Sequence, residues 1–116
     1  PNQLKLLGEQ HDRQQRLVDK VDWIITDSPL LMQIVYAPTW LHDTIRYASN
    51  LFHNRYYFIR RVKPYVPVGR FQTEEEAIKL DKIIKSYLPD PETTEVLGTY
   101  TAAGRIFDHI IRQEVV

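Results

Sequence analysis

Residues 23–31 read WIITDSPLL. An apolar run ends in Thr26, Asp27, Ser28 and Pro29, and the chain then turns apolar again. A carboxylate between two hydroxyls offers oxygen ligands. Hard cations such as Mg2+ take such ligands, often one or two carboxylates together with the phosphates of a substrate. In open α/β sheets, ligands gather beyond the carboxyl ends of the strands. A strand over 21–26 would place Asp27 and Ser28 just past such an end. A purely structural reading stands beside this one. Ser28 can be a helix N-cap with Pro29 at the first helical position, and Asp27 then simply favours the helix N-terminus.

The second feature is RYYFIRRVKPYVPVGR, residues 55–70. It holds Arg55, Arg60, Arg61, Lys63 and Arg70 and no acid, within a chain whose formal charge is +0. Cations on a loop suit phosphoryl transfer, in which negative charge spreads over the transferring oxygens. The interleaved Tyr and Phe also permit stacking on single-stranded nucleic acid, the weakest of the partner readings. The structural alternative is a solvated loop whose charges pair with Glu74, Glu75 and Glu76.

Other chemistry is absent. His11, His42, His53 and His109 show no metal-ligand spacing, and no Ser lies in a G-x-S-x-G setting. The histidines read as surface or core residues, and Trp23 and Trp40 read as core. A phosphate-cradling loop of the form G-x-x-x-x-G-K-[ST] needs glycines this chain lacks. Its glycines are Gly8, Gly69, Gly98 and Gly104, and the nearest approach, Gly98 to Gly104 followed by Arg105, has the wrong spacing and no Lys.

With 116 residues, one domain is the expectation. The balance of 15 basic and 15 acidic residues gives no overall pull toward DNA or lipid. Without cysteine there is no disulfide or thiolate metal site, and a reducing, cytoplasmic location is expected. No apolar run approaches the roughly 18 residues of a membrane span, so no membrane partner is expected. Pro1-Asn2-Gln3 resembles neither a signal peptide nor a translation start. The chain is therefore expected to be a processed product or part of a longer protein.

These residues need elements to hold them. Residues 3–20 read as a polar helix with Leu4, Leu7, Leu17 and Val18 on one face. VDWIIT, 21–26, reads as a central parallel strand because its apolar run is nearly continuous. A short helix is expected over 29–36. Thr39 is expected to cap a further helix with Leu41, Ile45, Ala48 and Phe52 inward. RYYFIRR, 55–61, reads as a strand, and Pro64, Pro67 and Gly69 make 62–72 a loop. Thr73 and Glu76 form a T-x-x-E capping box. The helix it opens has Ala77, Leu80, Ile84 and Leu88 on one face and stops before Pro89. PDPETT is a second loop, 94–97 a short strand, and 101–114 a last helix with Ala103, Ile106, Phe107 and Ile110 inward. Alternating strands and helices predict an α/β fold, a parallel sheet with helices on both faces.

Taken together, VDWIITDSPL, YFIRRVKPYVPVGRFQTEEEAIKLDKII and EVLGTYTAAGRIFDHI resemble the carboxyl-terminal two thirds of P-loop kinase-like ATPases of phages and bacteria. That group is related to the nicotinamide-riboside kinase domain and to nucleotide kinases. The resemblance runs from about residue 10 to 113 and is most specific in KPYVPVGRFQTEEEA. It implies a Walker B role for the strand ending in Asp27, with Asp27 and Ser28 near Mg2+. It implies a basic lid closing over phosphates through Arg61, Lys63 and Arg70. It implies an adenine-side turn at Gly98, Thr99, Tyr100 and Thr101.

ATP and Mg2+ are the implied cofactors and a small nucleotide-like molecule the implied acceptor. The family's first strand, P-loop, following helix and second strand have no counterpart here. On this resemblance, residues 1–116 are a single partial domain whose N-terminal strands are missing. The isolated chain would be inactive, since the absent loop carries most of the phosphate affinity. A rival expectation from another class is a non-catalytic structural or interaction module that keeps a kinase-like sheet. In either case a missing N-terminal segment or another chain would cover the open sheet edge.

Overall fold

The computed structural model describes residues 2–62, 73–89 and 93–114. Their order is α1 (Gln3–Gln15), a 3-10 helix (Leu30–Val35), a 3-10 turn (Thr39–Leu41), α2 (His42–Asn50), β1 (Tyr56–Arg60), α3 (Glu74–Tyr87), β2 (Thr93–Leu97) and α4 (Ala102–Glu114). The chain gathers into two compact units, Pro1–Asn54 and Arg55–Val116.

The first unit is helical. Asn2 caps α1, its side-chain oxygen accepting from the Lys5 backbone N–H at 3.2 Å. α1 ends earlier than its sequence pattern suggests. Successive backbone bonds from Leu17 to Gln14 and from Val18 to Gln15 tighten its end into turns, and Asp19 adopts a positive φ of 66°. Asp tolerates this left-handed conformation better than most residues. Of the predicted face only Leu7 is buried.

Leu7 joins Leu30, Leu31, Ile34, Leu41 and Ile45 in the core of this unit. Each such side chain contributes roughly 1.5–3 kcal/mol by leaving water. The predicted inward face of α2 is present, with Leu41 and Ile45 buried and Ala48 and Phe52 half-buried. Thr39 is not its cap: the residue lies inside a 3-10 turn, and no side chain caps α2. Pro38, at the residue before that turn, already sets an extended backbone there. At the other end of α2, Asn54 Nδ2 donates to the carbonyls of Ser49 (2.7 Å) and Phe52 (3.1 Å), closing the helix.

The strand expected over 21–26 does not form. These residues have no regular structure, and Ile25 is 89% exposed. An apolar run becomes a strand only when a neighbouring strand takes up its backbone groups, and among the described residues none pairs with it. The helix expected over 29–36 is a 3-10 helix over Leu30–Val35, preceded by Pro29 in extended conformation.

In the second unit, β1 and β2 pair in parallel, in register from Tyr56 opposite Thr93 to Arg60 opposite Leu97. Among the described residues the chain is thus a mixed helix-and-strand protein with a two-stranded parallel sheet. α3, which lies between the two strands in sequence, begins as predicted. Thr73 Oγ1 accepts from the Glu76 backbone N–H and donates to the Glu76 carboxylate, both at 3.1 Å. Ala77 is buried, and Leu80, Ile84 and Leu88 are half-buried on the predicted face. α4 packs on β2. Of the four residues predicted inward, Ile106 and Ile110 are half-buried, whereas Ala103 and Phe107 are exposed and Ala102 is buried instead. Among the described residues of this unit only Tyr56, Ala77 and Ala102 are fully buried.

Candidate site at the carboxyl end of the sheet

Both parallel strands end on the same side. β1 delivers Arg60 and then Arg61, and β2 delivers Leu97 and then Gly98. Gly98 donates its backbone N–H to the Arg60 carbonyl at 2.8 Å, extending the ladder by one rung. Only glycine fits there: a Cβ would lie 2.9 Å from that same carbonyl oxygen and 3.1 Å from Ile59 Cγ2. The turn then folds on itself. The Thr99 N–H donates to the Leu97 carbonyl at 2.8 Å, the hydroxyls of Thr99 and Thr101 share a hydrogen bond of 2.9 Å, and Ala102 N–H returns to the Thr99 carbonyl at 3.0 Å. α4 starts directly from this turn, so its first N–H groups face the carboxyl end of the sheet. Tyr100 stands 99% exposed at the tip.

Arg61 is held in place. Its guanidinium donates from Nε (2.5 Å) and from an Nη (3.1 Å) to the two oxygens of Asp81 on α3, a forked ion pair. Asp81 is thus one acid that meets the basic stretch. Both partners are partly open to water, so the pair is worth on the order of 0–1 kcal/mol and opens readily. On the same helix Lys85 donates to Glu95 of β2 at 2.9 Å and lies 5.6 Å from the Phe58 ring centre.

The other predicted site residues fall elsewhere in the chain. Lys63 and Arg70 lie outside the described residues, as does most of the 62–72 loop. Asp27 and Ser28 belong to the first unit. Ser28 N–H donates to Thr26 Oγ1 at 3.0 Å and its hydroxyl to Asp27 Oδ1 at 3.3 Å, all in exposed, irregular chain rather than at a strand end. Among the described residues no three His, Cys, Asp or Glu side chains stand together for a metal.

One line of polar contacts was invisible in the sequence. Gln113 Nε2 lies 3.2 Å from His109 Nε2, and His109 Nδ1 lies 2.7 Å from Tyr57 Oη. An amide nitrogen can only donate, so as placed the ring proton sits on Nδ1 and donates to the phenol oxygen. The two rings meet edge-on, at 86° and 5.6 Å. Burial raises the Tyr57 phenol above its ordinary value, with Arg55 opposing. This line ties β1 to α4. Trp23 and Trp40, predicted as core, are instead substantially exposed.

Comparison of the chain with protein-family models, with curated proteins and with solved structures finds no match. No helix among the described residues is long and apolar enough to cross a membrane.

Proposed function

We propose that the second unit is the adenine-side and lid portion of a nucleotide-binding, P-loop kinase-like ATPase, one that passes the ATP γ-phosphoryl to a small nucleotide-like acceptor. The observation that carries this reading is the Gly98–Thr101 turn. It is locked onto Arg60 by a hydrogen bond and a contact that only glycine permits, at the carboxyl end of two parallel strands where α/β folds bind their ligands. The reading also rests on the resemblance of YFIRRVKPYVPVGRFQTEEEA and EVLGTYTAAGRIFDHI to that family.

In this proposal the base packs on the turn and its exposed tyrosine, while Arg61, Lys63 and Arg70 meet phosphate oxygens. Arg61 must first leave Asp81, a small cost for an exposed pair. In the same reading Asp27, with Ser28 beside it, is the carboxylate that helps hold Mg2+. With no glycine-lysine loop in the chain, phosphate affinity is low and the isolated chain does not turn over. The test is equilibrium binding of a fluorescent ATP analogue to the chain. Binding in the high-micromolar to millimolar range, weakened at least tenfold in Arg70→Ala and Tyr100→Ala, is expected. Absence of binding at millimolar nucleotide rejects the reading.

A second reading has its own observation. The second unit buries few residues fully, while Ile59 and Leu97 on its two strands, and Ile78 and Ile83 on α3, stay exposed. A two-stranded sheet is marginal alone. A structural module that completes its sheet against a partner accounts for this surface without any nucleotide.

A further inference from the structure

Arg61 is fixed at its backbone and occupied at its head. Its peptide group begins with the Arg60 carbonyl that the Gly98 N–H holds at 2.8 Å, so the backbone stands beside the Gly98–Thr101 turn. The guanidinium is turned onto α3, where Nε and an Nη donate to the two oxygens of Asp81. We propose that Asp81 is a built-in competitor for phosphate. It fills the fork of Arg61 until a polyphosphate ligand displaces it, and so sets the affinity of the site. This inference rests on the nucleotide reading above and adds the regulation of that site.

A carboxylate and a phosphate present the same pair of oxygens to a guanidinium, and arginine takes either through two parallel N–H donors. The edge of Arg61 that carries Nε cannot hold both at once. An acid that merely held Arg61 ready for a ligand would leave that edge open, whereas Asp81 covers it. Charge points the same way. With carboxylate oxygens at 2.5 and 3.1 Å, the arginine charge is cancelled at short range, and the pair draws an anion only after it parts.

The two partners differ in freedom. The Asp81 side chain is 26% exposed and sits in the middle of α3, while that of Arg61 is 47% exposed on a long stem. The arginine is therefore the partner that swings away. Lys85, one helical turn beyond Asp81, also joins α3 to the sheet, through Glu95 of β2 at 2.9 Å. Ligand binding thus releases one tie between α3 and the sheet and leaves this one in place. By linkage the effect is reciprocal: whatever closes the Arg61–Asp81 pair more firmly weakens phosphate binding by the same factor.

The size of the effect follows from exposure. A pair this open to water is weak, closed for the larger share of the time but opening readily. A site whose binding-competent form is only fractionally populated loses affinity by that fraction. Removing the competitor should therefore tighten nucleotide binding about two- to fivefold.

The affinity for the fluorescent ATP analogue, measured across a mutant cycle, tests this. Asp81→Asn, alike in shape but uncharged, should tighten binding by that factor. In an Arg61→Ala chain the same substitution should have little effect, because the competition acts only through Arg61. Glu95→Gln removes an acid from the same sheet without touching the fork and should leave the affinity unchanged. One readout needs no variant to fold: in the unaltered chain MgATP should shift the 13C signal of the Asp81 carboxyl group together with Arg61 Nε–H, and leave the Glu95 carboxyl signal in place. Binding that Asp81→Asn weakens or leaves unchanged overturns the proposal while the nucleotide reading stands, and so does an Asp81 carboxyl signal that stays put at saturation. An equal gain with and without Arg61 also overturns it, since the loss of any nearby negative charge would do the same. Failure of every chain to bind at millimolar nucleotide rejects the nucleotide reading itself and this inference with it.

Discussion

Replacing Gly98 by Ala tests how tightly the turn is bound to the sheet. The new Cβ would sit 2.9 Å from the Arg60 carbonyl oxygen, closer than carbon and oxygen tolerate, and 3.1 Å from Ile59 Cγ2. The isoleucine methyl can rotate away. The carbonyl cannot move without disturbing the ladder, because it also accepts the Gly98 N–H at 2.8 Å. Overpacking of this kind costs about 1–3 kcal/mol, and weakening the hydrogen bond adds up to about 1 kcal/mol. Alanine restricts the unfolded chain and returns about 0.4–1 kcal/mol. The net loss is about 2 kcal/mol, which lowers the melting temperature of a unit this small by roughly 10 °C. Urea denaturation followed by circular dichroism reads the first quantity and a thermal scan the second. A Gly98→Ala chain within about 0.5 kcal/mol of the parent would show that the turn does not pack as described, and the candidate site would lose its anchor.

Two further outcomes follow from local geometry. Thr73→Ala removes the hydroxyl that accepts from Glu76 N–H and should destabilise the second unit by about 1 kcal/mol, read by the same denaturation; Thr73→Ser should restore most of it. Tyr57→Phe deprives His109 of its partner and should cost about 1 kcal/mol at pH 8. The folded phenol ionises above the ordinary 10.0, so the folded state holds its proton more tightly than the unfolded one. Stability from this group is therefore full below pH 10 and falls as pH rises past it. The gap between the parent and Tyr57→Phe should narrow between pH 8 and about pH 11, and a constant gap would contradict the burial of the phenol.

The sequence was most legible where a signal is local. The capping box at Thr73 and Glu76 and the inward face of α2 formed, because each is decided by residues within a few positions, and the aromatic strand at 56–60 formed because β2 is there to pair with it. It was least legible where the outcome depends on a distant partner. VDWIIT has the composition of a buried strand, yet a strand needs neighbours, and among the described residues it has none. On α4, Ile106 and Ile110 were placed inward correctly, but Ala103 and Phe107 were not, because they stand next to Ala102 and Ile106 at spacings that fit either side of the helix. Only packing on β2 separates them. At the site, the Gly98–Thr101 turn was predicted in place. The Arg61–Asp81 pair and the Tyr57–His109–Gln113 line were not, since twenty and fifty-two residues separate the first two contacts and no sequence period links them.

The most direct test of the nucleotide reading is a two-dimensional 1H–15N NMR titration of the chain with MgATP, run beside one with inorganic phosphate alone. The account predicts saturable shifts at the backbone amides of Arg60, Arg61 and Gly98–Thr101 with MgATP, and little change there with phosphate. Shifts confined to other residues, or none at millimolar MgATP, would contradict a nucleotide site at the carboxyl end of this sheet.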